Sequence, residues 1–171
     1  MASGKTTLGV ALSEASGRPF VDLDKEIERR AGRSIASIFA SEAGEAGFRE
    51  LEAAVLRDVA RNGGDIIVAC GGGTPCYGDN IDFMLGAGLV VCLDASPDTT
   101  VRRLLEAPEG KRPLVDSYRS DTTALRSHIA QLQKAREQFY SRAHAHFNAD
   151  RLENAAEIAE TTALFTSRFM K

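Results

Sequence analysis

Residues 1–9 read MASGKTTLG, and Gly4-Lys5-Thr6-Thr7 within them constrains the chain more than any other stretch. This is the second half of a phosphate-binding loop of the G-x-x-x-x-G-K-[ST] kind, running directly into apolar residues at helical spacing, Leu8, Val10, Ala11 and Leu12. Such a loop gathers backbone N–H groups at a helix start, where they and the positive end of the helix dipole favour a polyphosphate. Lys5 would neutralise the outer phosphates, and the Thr6 hydroxyl is a hard oxygen suited to magnesium. Counting back from Lys5, the first glycine of the motif falls before Met1, and the strand that delivers such a loop is absent as well. Two expectations stay open at this point: that the protein starts upstream, or that part of the nucleotide site has been lost.

A length of 171 residues predicts one domain, 1–171, with room for a proper core. The net charge of −3 gives no general attraction to nucleic acid or to an anionic membrane, although arginines clustered in one cleft would still hold a small anion. No stretch approaches the ~20 apolar residues of a membrane span, and no secretory signal precedes the first motif. The expectation is a cytoplasmic monomer with a small-molecule substrate and neither nucleic-acid nor membrane partners. Cys70, Cys76 and Cys92 lack metal-ligand spacing. Cys70 and Cys92 end apolar runs and read as core residues, while Cys76 in a loop is either inert or a reactive thiol.

After the first helix, Pro19 to Asp24 reads as a short buried strand whose Asp22 and Asp24, two apart, would project to one side. One carboxylate could hold magnesium through water while the other accepts a hydrogen bond from a substrate hydroxyl. The competing reading makes Asp24 the cap or first-turn acid of a helix running to Ala31. Ser34 to Phe39 predicts a second short helix. Glu42 to Gly47 reads as a link into a long helix from about Phe48 to Asn62, with Arg49 in its first turn against the dipole preference. That position suggests an anion from elsewhere, a bidentate carboxylate in particular, or else a local pair with Glu45, Glu50 or Glu52.

Asp65 to Cys70 is a continuous apolar run, as in a strand covered on both faces, and it leads into Gly71-Gly72-Gly73-Thr74-Pro75. Glycines at the carboxyl end of such a strand let peptide groups approach a ligand closely. Gly88 to Asp94 predicts the next strand, and Ser96-Pro97 the cap and first residue of a helix to Glu106 that carries Arg102 and Arg103. Residues from about 107 to 120 break all periodicity and read as a lid, on which Arg112 beside Lys111 could act as an arginine finger or be a solvated charge. Asp121 caps a long helix reaching Arg136, Phe139 and Tyr140, with Arg136 either a second grip on the anion or a surface ion pair. His146 to Asp150 reads as a weak last strand and Asn154 to Phe169 as a closing helix. His128, His144 and His146 make no convincing metal set.

Alternating strands and helices after a phosphate loop point to a three-layer α/β/α fold around a central parallel sheet, its first strand missing from the chain as given. The chain resembles the shikimate kinases, small P-loop kinases of nucleoside monophosphate kinase-like fold. SGKTTLG, FVDLDKEIE, AGRSIASIF, GEAGFRELE, CGGGTP, KRPL and AREQFY carry the likeness through order and spacing over nearly the whole length.

The resemblance implies ATP-dependent phosphorylation of shikimate at its 3-hydroxyl, with Mg2+, on the route to chorismate and the aromatic amino acids. It implies ATP contacts from Ala2, Ser3, Gly4, Lys5, Thr6, Thr7, Arg103, Arg112 and Glu153. Thr6 would serve magnesium, with Asp22 acting through water. Shikimate would be held by Asp24, Arg49, Gly71, Gly72, Gly73 and Arg136, with the substrate-binding helices falling over about 24–62. Lys5, Asp24 and Arg112 would carry catalysis, Asp24 as base. Ala2 stands where the family usually has glycine. A lost central strand of ~5 residues would exceed a typical stability of ~5–15 kcal/mol, so upstream residues are expected. The alternatives are another sugar-acid kinase of the same fold, such as a gluconate kinase, and a catalytically dead binding module.

Overall fold

The computed structural model describes residues 2–107, 118 and 121–170. Helix α1, Lys5–Ser16, starts at the phosphate loop and ends where Gly17 enters the left-handed region. It leads to strand β1, Phe20–Asp22, and to helices α2, Leu23–Ala31, α3, Ile35–Phe39, and α4, Gly44–Asn62. Strand β2, Ile67–Ala69, is followed by a 3-10 turn at Thr74–Cys76 and helix α5, Asn80–Ala87. Strand β3, Val91–Asp94, helix α6, Pro97–Glu106, helix α7, Thr122–Tyr140, strand β4, Ala145–Asn148, and helix α8, Ala155–Phe169, complete the order.

The caps explain many of these boundaries. Asp22, Ser34, Ser96, Asp121 and Asn154 each accept a hydrogen bond from a backbone N–H in the first turn of the helix they precede. Pro97 occupies the start of α6, where its lack of an N–H costs nothing.

Both strand pairs are parallel, as the alternation of elements predicts, and β1 aligns Phe20, Val21 and Asp22 with Ile67, Val68 and Ala69. The register of β3 against β4 places Cys92 opposite His146 and Leu93 opposite Phe147. The sheet comes in two halves, however: β2 and β3 do not pair. Three apolar clusters hold the layers. Leu23, Ile27, Phe48, Val55 and Leu56 join α2 and α4, with Val68 packed on them. On the opposite face, Leu8, Leu12, Phe147 and Leu152 tie α1 to β4 and the approach to α8, with Ile67, Val91 and Leu93 packed against them. Val101, Leu104, Leu125 and Ile129 join α6 to α7.

Several boundaries differ from the sequence expectation. The first strand stops at Asp22, and Asp24 lies in the first turn of α2, so the two acids do not alternate along one extended segment. Helix α4 begins at Gly44, which makes Gly44 to Gly47 its first turn rather than a link and moves Arg49 into the second turn, away from the orphan N–H groups. Ile67, Val68, Val91, Cys92 and Leu93 are half-buried, whereas the apolar runs suggest strands covered on both faces. Among the described residues, no helix is long and apolar enough to cross a membrane.

Ala2 is the one residue other than glycine in the left-handed region among those described, at φ 51°. An L-residue there costs ~1–2 kcal/mol, and glycine returns part of that gain as unfolded-state entropy. Ala2→Gly is therefore expected to raise the denaturant midpoint by an amount worth up to about 1 kcal/mol, with unchanged slope. An unchanged midpoint would mean that the loop carries no such strain.

Candidate active site

The phosphate loop forms the wall of a cavity of about 300 Å³ lined by Ala2, Ser3, Gly4, Lys5, Thr6, Thr7, Arg103, Leu152 and Glu153. Gly4 precedes α1 at φ 85°, and the first N–H groups of the helix start immediately beyond it. Arg103 reaches across from α6. Its guanidinium donates to the carbonyls of Ala2 (3.4 Å), Ala149 (3.1 Å) and Asp150 (3.0 Å) and to Glu153 (2.9 Å). Arg102 shares the Glu153 carboxylate at 2.8 Å. One arginine thus sews the phosphate loop to the segment before α8, and Glu153 is held by two cations. All the loop residues expected to contact ATP lie here together with Arg103 and Glu153. Arg112, Lys111 and most of the expected lid lie outside the described residues.

Thr6 Oγ1 donates to Asp22 Oδ2 at 2.9 Å, while Asp22 Oδ1 accepts the Lys25 N–H at 3.4 Å as the cap of α2. A hydroxyl and a carboxylate this close, beside a phosphate cradle, are hard oxygens of the kind magnesium takes. Lys5 Nζ reaches Ser3 Oγ at 3.5 Å and lies near enough to Asp24 to act on its ionisation. Asp24 keeps much of its surface open to solvent, but its carboxyl lies against the Gly71 backbone. Burial of that carboxyl, then the charges of Asp22 and Glu52, push its pKa above the ordinary value, with Lys5 acting the other way. A carboxylate raised in this way is a better proton acceptor than a free aspartate.

The glycine segment after β2 organises the second half of the site. A methyl at Gly71 would lie 3.2 Å from Thr74 Oγ1 and 3.4 Å from both Asp24 Oδ1 and Glu52 Oε1. At Gly73 it would lie 2.6 Å from Arg49 Nη2. These positions are bare because three polar side chains and an arginine fork press on the backbone. Tyr140 O–H donates to the Gly72 carbonyl at 2.7 Å, tying α7 to the segment, and burial raises the tyrosine pKa. Arg136 stands one turn earlier on α7 and acts on both Tyr140 and Cys76, and Arg49 acts on Cys76 as well. The segment from Gly71 to Cys76 is therefore within electrostatic reach of both arginines. A larger cavity is lined by Lys5, Gly71, Gly72, Arg136 and Tyr140, so the phosphate-loop lysine and Arg136 face one space.

The sequence reading names Glu52 only as a possible local partner of Arg49 and not as a site residue. It is 1% exposed, accepts from Thr74 Oγ1 at 2.7 Å and from Arg49 Nη1 at 2.8 Å, and sits at the heart of the second half-site. Its signal was available, since it falls four residues after Phe48 and three before Val55 on the buried stripe of α4. Arg49 also reaches Glu45 at 3.3 Å and lies over the Phe48 ring at 5.2 Å. Burial works against its charge, but the hydrogen bonds and charges of Glu52 and then Glu45 outweigh it and raise its pKa. The local pairs weighed for Arg49 thus form, with Glu45 and Glu52 but not Glu50.

Helix α5 was also missed, as was the network that anchors it. Asn80, buried, donates to the Thr74 carbonyl at 2.9 Å and accepts from Arg57 at 2.8 Å, and Arg57 pairs with Asp79.

The cysteines divide differently from expectation. Cys70 is half-buried against the cluster around Leu23 and Phe48 rather than a full core residue, and burial pushes its thiol up to about 12. Burial likewise raises Cys76, which speaks for the inert reading. Cys92 is half-buried, not core, and its thiol lies 3.5 Å from Asp94 Oδ1. Asp94 in turn meets His146 Nδ1 at 3.0 Å, so the three groups satisfy one another on one face of β3 and β4, all within 4.8 Å. A cross-strand pairing of this kind is invisible to spacing along the chain.

A polyphosphate cradle, a hard-oxygen pair beside it and an arginine pressed on the glycine segment of a parallel α/β frame are the parts of a P-loop small-molecule kinase. The sequence matches the Shikimate kinase family over residues 1–166, and the chain belongs to that family. It is 41% identical to the shikimate kinase of Bacteroides thetaiotaomicron, over 92% of this chain and 87% of the relative. The crystal structure of shikimate kinase from Bacteroides thetaiotaomicron superposes with a TM-score of 0.91 at 38% identity, covering 98% of this chain and 93% of that one. Shikimate kinase from Acinetobacter baumannii in complex with shikimate gives 0.80 at 30% identity, covering 100% and 91%.

Proposed function

We propose that this chain transfers the terminal phosphoryl group of ATP to the 3-hydroxyl of shikimate, giving shikimate 3-phosphate and ADP. The observation that supports the reading is that Lys5 acts on the Asp24 carboxyl, that Asp24 and Arg49 stand against Gly71 and Gly73, and that Lys5, Gly71, Gly72 and Arg136 line one cavity. A small carboxylic acid gripped by the two arginines would present its alcohol to Asp24, whose raised pKa suits it to accept the proton that the oxygen sheds. Peptide groups at Gly71–Gly73 would hold the other hydroxyls. The N–H groups of the loop and Lys5 would stabilise charge on the transferring group. Thr6 and Asp22 would hold magnesium, which supplies neutralisation of phosphate charge when bound with the nucleotide. Arg103 and Glu153 would border the nucleotide, and Arg112 would close over the phosphates.

ADP release measured with ATP and magnesium, with and without shikimate, tests this. Release that depends on shikimate, and not on gluconate, is the expected result. Dependence on gluconate instead would move the chain to another sugar-acid kinase. Shikimate binding by calorimetry with no turnover, even with upstream residues added, would make it a binding module.

Gly73→Ala separates the grip on the acid from the rest of the machinery. Gly73 has ordinary φ of −89°, so the new methyl acts by pushing on the Arg49 fork. A displaced charge-assisted contact is worth ~1.5–3 kcal/mol, so the KM for shikimate should rise about tenfold or more while that for ATP holds. An unchanged shikimate KM would remove Arg49 from the acid pocket.

A further inference from the structure

Strands β3 and β4 run parallel with Cys92 opposite His146. Side chains alternate along a strand, so Asp94 shares the face of Cys92, while Val91, Leu93 and Phe147 turn the other way into the cluster around Leu8 and Leu12. The alternation thus gathers a thiol, a carboxylate and an imidazole on one face. Cys92 Sγ lies 3.5 Å from Asp94 Oδ1, and His146 Nδ1 lies 3.0 Å from Asp94 Oδ2. One ligand atom from each of the three residues falls within 4.8 Å of the other two, and all three residues line a cavity of about 940 Å³.

Around a tetrahedral zinc ion with bonds of about 2.0–2.3 Å, neighbouring ligand atoms stand about 3.3–3.8 Å apart. The contacts present are already near that spacing. Asp94 and His146 are about half exposed, so small rotations of these two side chains close the difference. An ionised carboxylate only accepts, so a hydrogen of the thiol and one of the imidazole lie between the groups. A metal ion takes their place. The thiol proton passes to solvent, and the imidazole keeps its hydrogen on Nε2.

The ligand types choose the ion. Thiolate and imidazole suit zinc and similar borderline divalent ions, whereas magnesium takes oxygens of the kind that Thr6 and Asp22 offer. A thiolate and a carboxylate also cancel the charge of a divalent ion. Three protein ligands at a cavity wall leave a fourth position for water. The spacing of the histidines along the chain does not reveal this set, because the partners of His146 come from the neighbouring strand.

We propose that Cys92, Asp94 and His146 form a binding site for a zinc-like divalent ion, separate from the magnesium position beside the phosphate loop. The bound ion clips β3 to β4. The site does not depend on which acid the cleft accepts.

Titration of the whole chain with cobalt(II), a coloured stand-in for zinc, tests it. A sulfur-to-cobalt charge-transfer band together with the intense visible bands of a tetrahedral ion is expected, a signature that an all-oxygen site at Thr6 and Asp22 cannot give. Zinc should bleach these bands, and excess magnesium should leave them. Cys92→Ser should abolish the charge-transfer band, whereas Cys76→Ser should keep it. His146→Gln and Asp94→Asn, both at exposed positions, should each weaken binding by about 10-fold or more. Zinc should also raise the Tm of the parent and not that of Cys92→Ser. Absence of the charge-transfer band in the parent, its survival in Cys92→Ser or its loss in Cys76→Ser would overturn the proposal. Affinity unchanged by both His146→Gln and Asp94→Asn would do so too, as would displacement of cobalt by magnesium.

Discussion

Glu52→Ala is expected to destabilise the fold by about 3 kcal/mol, the low end of the range for breaking a buried ion pair. Glu52 is almost fully enclosed, and its two oxygens serve different partners, Thr74 on the segment after β2 and Arg49 on its own helix. Removal leaves the half-buried Arg49 fork with only the longer Glu45 contact and orphans the buried Thr74 hydroxyl. Urea unfolding of parent and variant measures the loss directly. Glu52→Gln keeps the Thr74 bond while discarding the charge, so it should recover part of the stability and little of the affinity for the acid. A variant as stable as the parent would mean that the Arg49–Glu52–Thr74 chain does not hold the site together.

Asp24→Asn should lower kcat by ~10²-fold or more, the usual scale for a positioned base, while leaving ATP binding nearly intact. The pH dependence gives a second, independent signature. Asp24 has its folded pKa raised above the ordinary 3.8, so its contribution to stability is present below that value and is lost as pH rises through the folded pKa. At neutral pH the ionised carboxylate therefore weighs against folding. The asparagine variant should gain denaturant resistance relative to the parent as pH rises from 3 to 7, even as it loses turnover. The acidic limb of the parent's rate profile should vanish with it. A variant that turns over normally would remove Asp24 from the chemistry, and a relative stability that falls with rising pH would reverse the electrostatic account. Gain of stability with loss of activity is what a functional group held in an unfavourable field produces.

The parts of the molecule legible in the sequence were those written in local chemistry. Gly4-Lys5-Thr6-Thr7 announced the phosphate loop, and Ser96 and Asp121 marked helix starts through their side-chain acceptors. What distance along the chain cannot show is which partner wins. Asp22 and Asp24 look equivalent on a ruler, yet the cap at Asp22 ends the strand and puts Asp24 on a helix. Gly44 and Gly47 read as a link, but Phe48 and Glu52 anchor α4 so firmly that the helix propagates back through them. Helix α5 depends on Asn80 meeting Thr74 and Arg57, contacts that only the folded chain brings together. Glu52 reads along the chain only as a possible partner of Arg49, because its second bond, to Thr74 on the segment after β2, exists only in the folded chain.

Asp22 spends one oxygen on Thr6 and the other on the first turn of α2. A single side chain therefore couples α1, which begins at the phosphate loop, to α2, which carries Asp24, the base on the proposed reading. On the proposed reading, a turn of that carboxylate to suit an incoming cation would carry to Asp24, two residues away, and so link the two substrates.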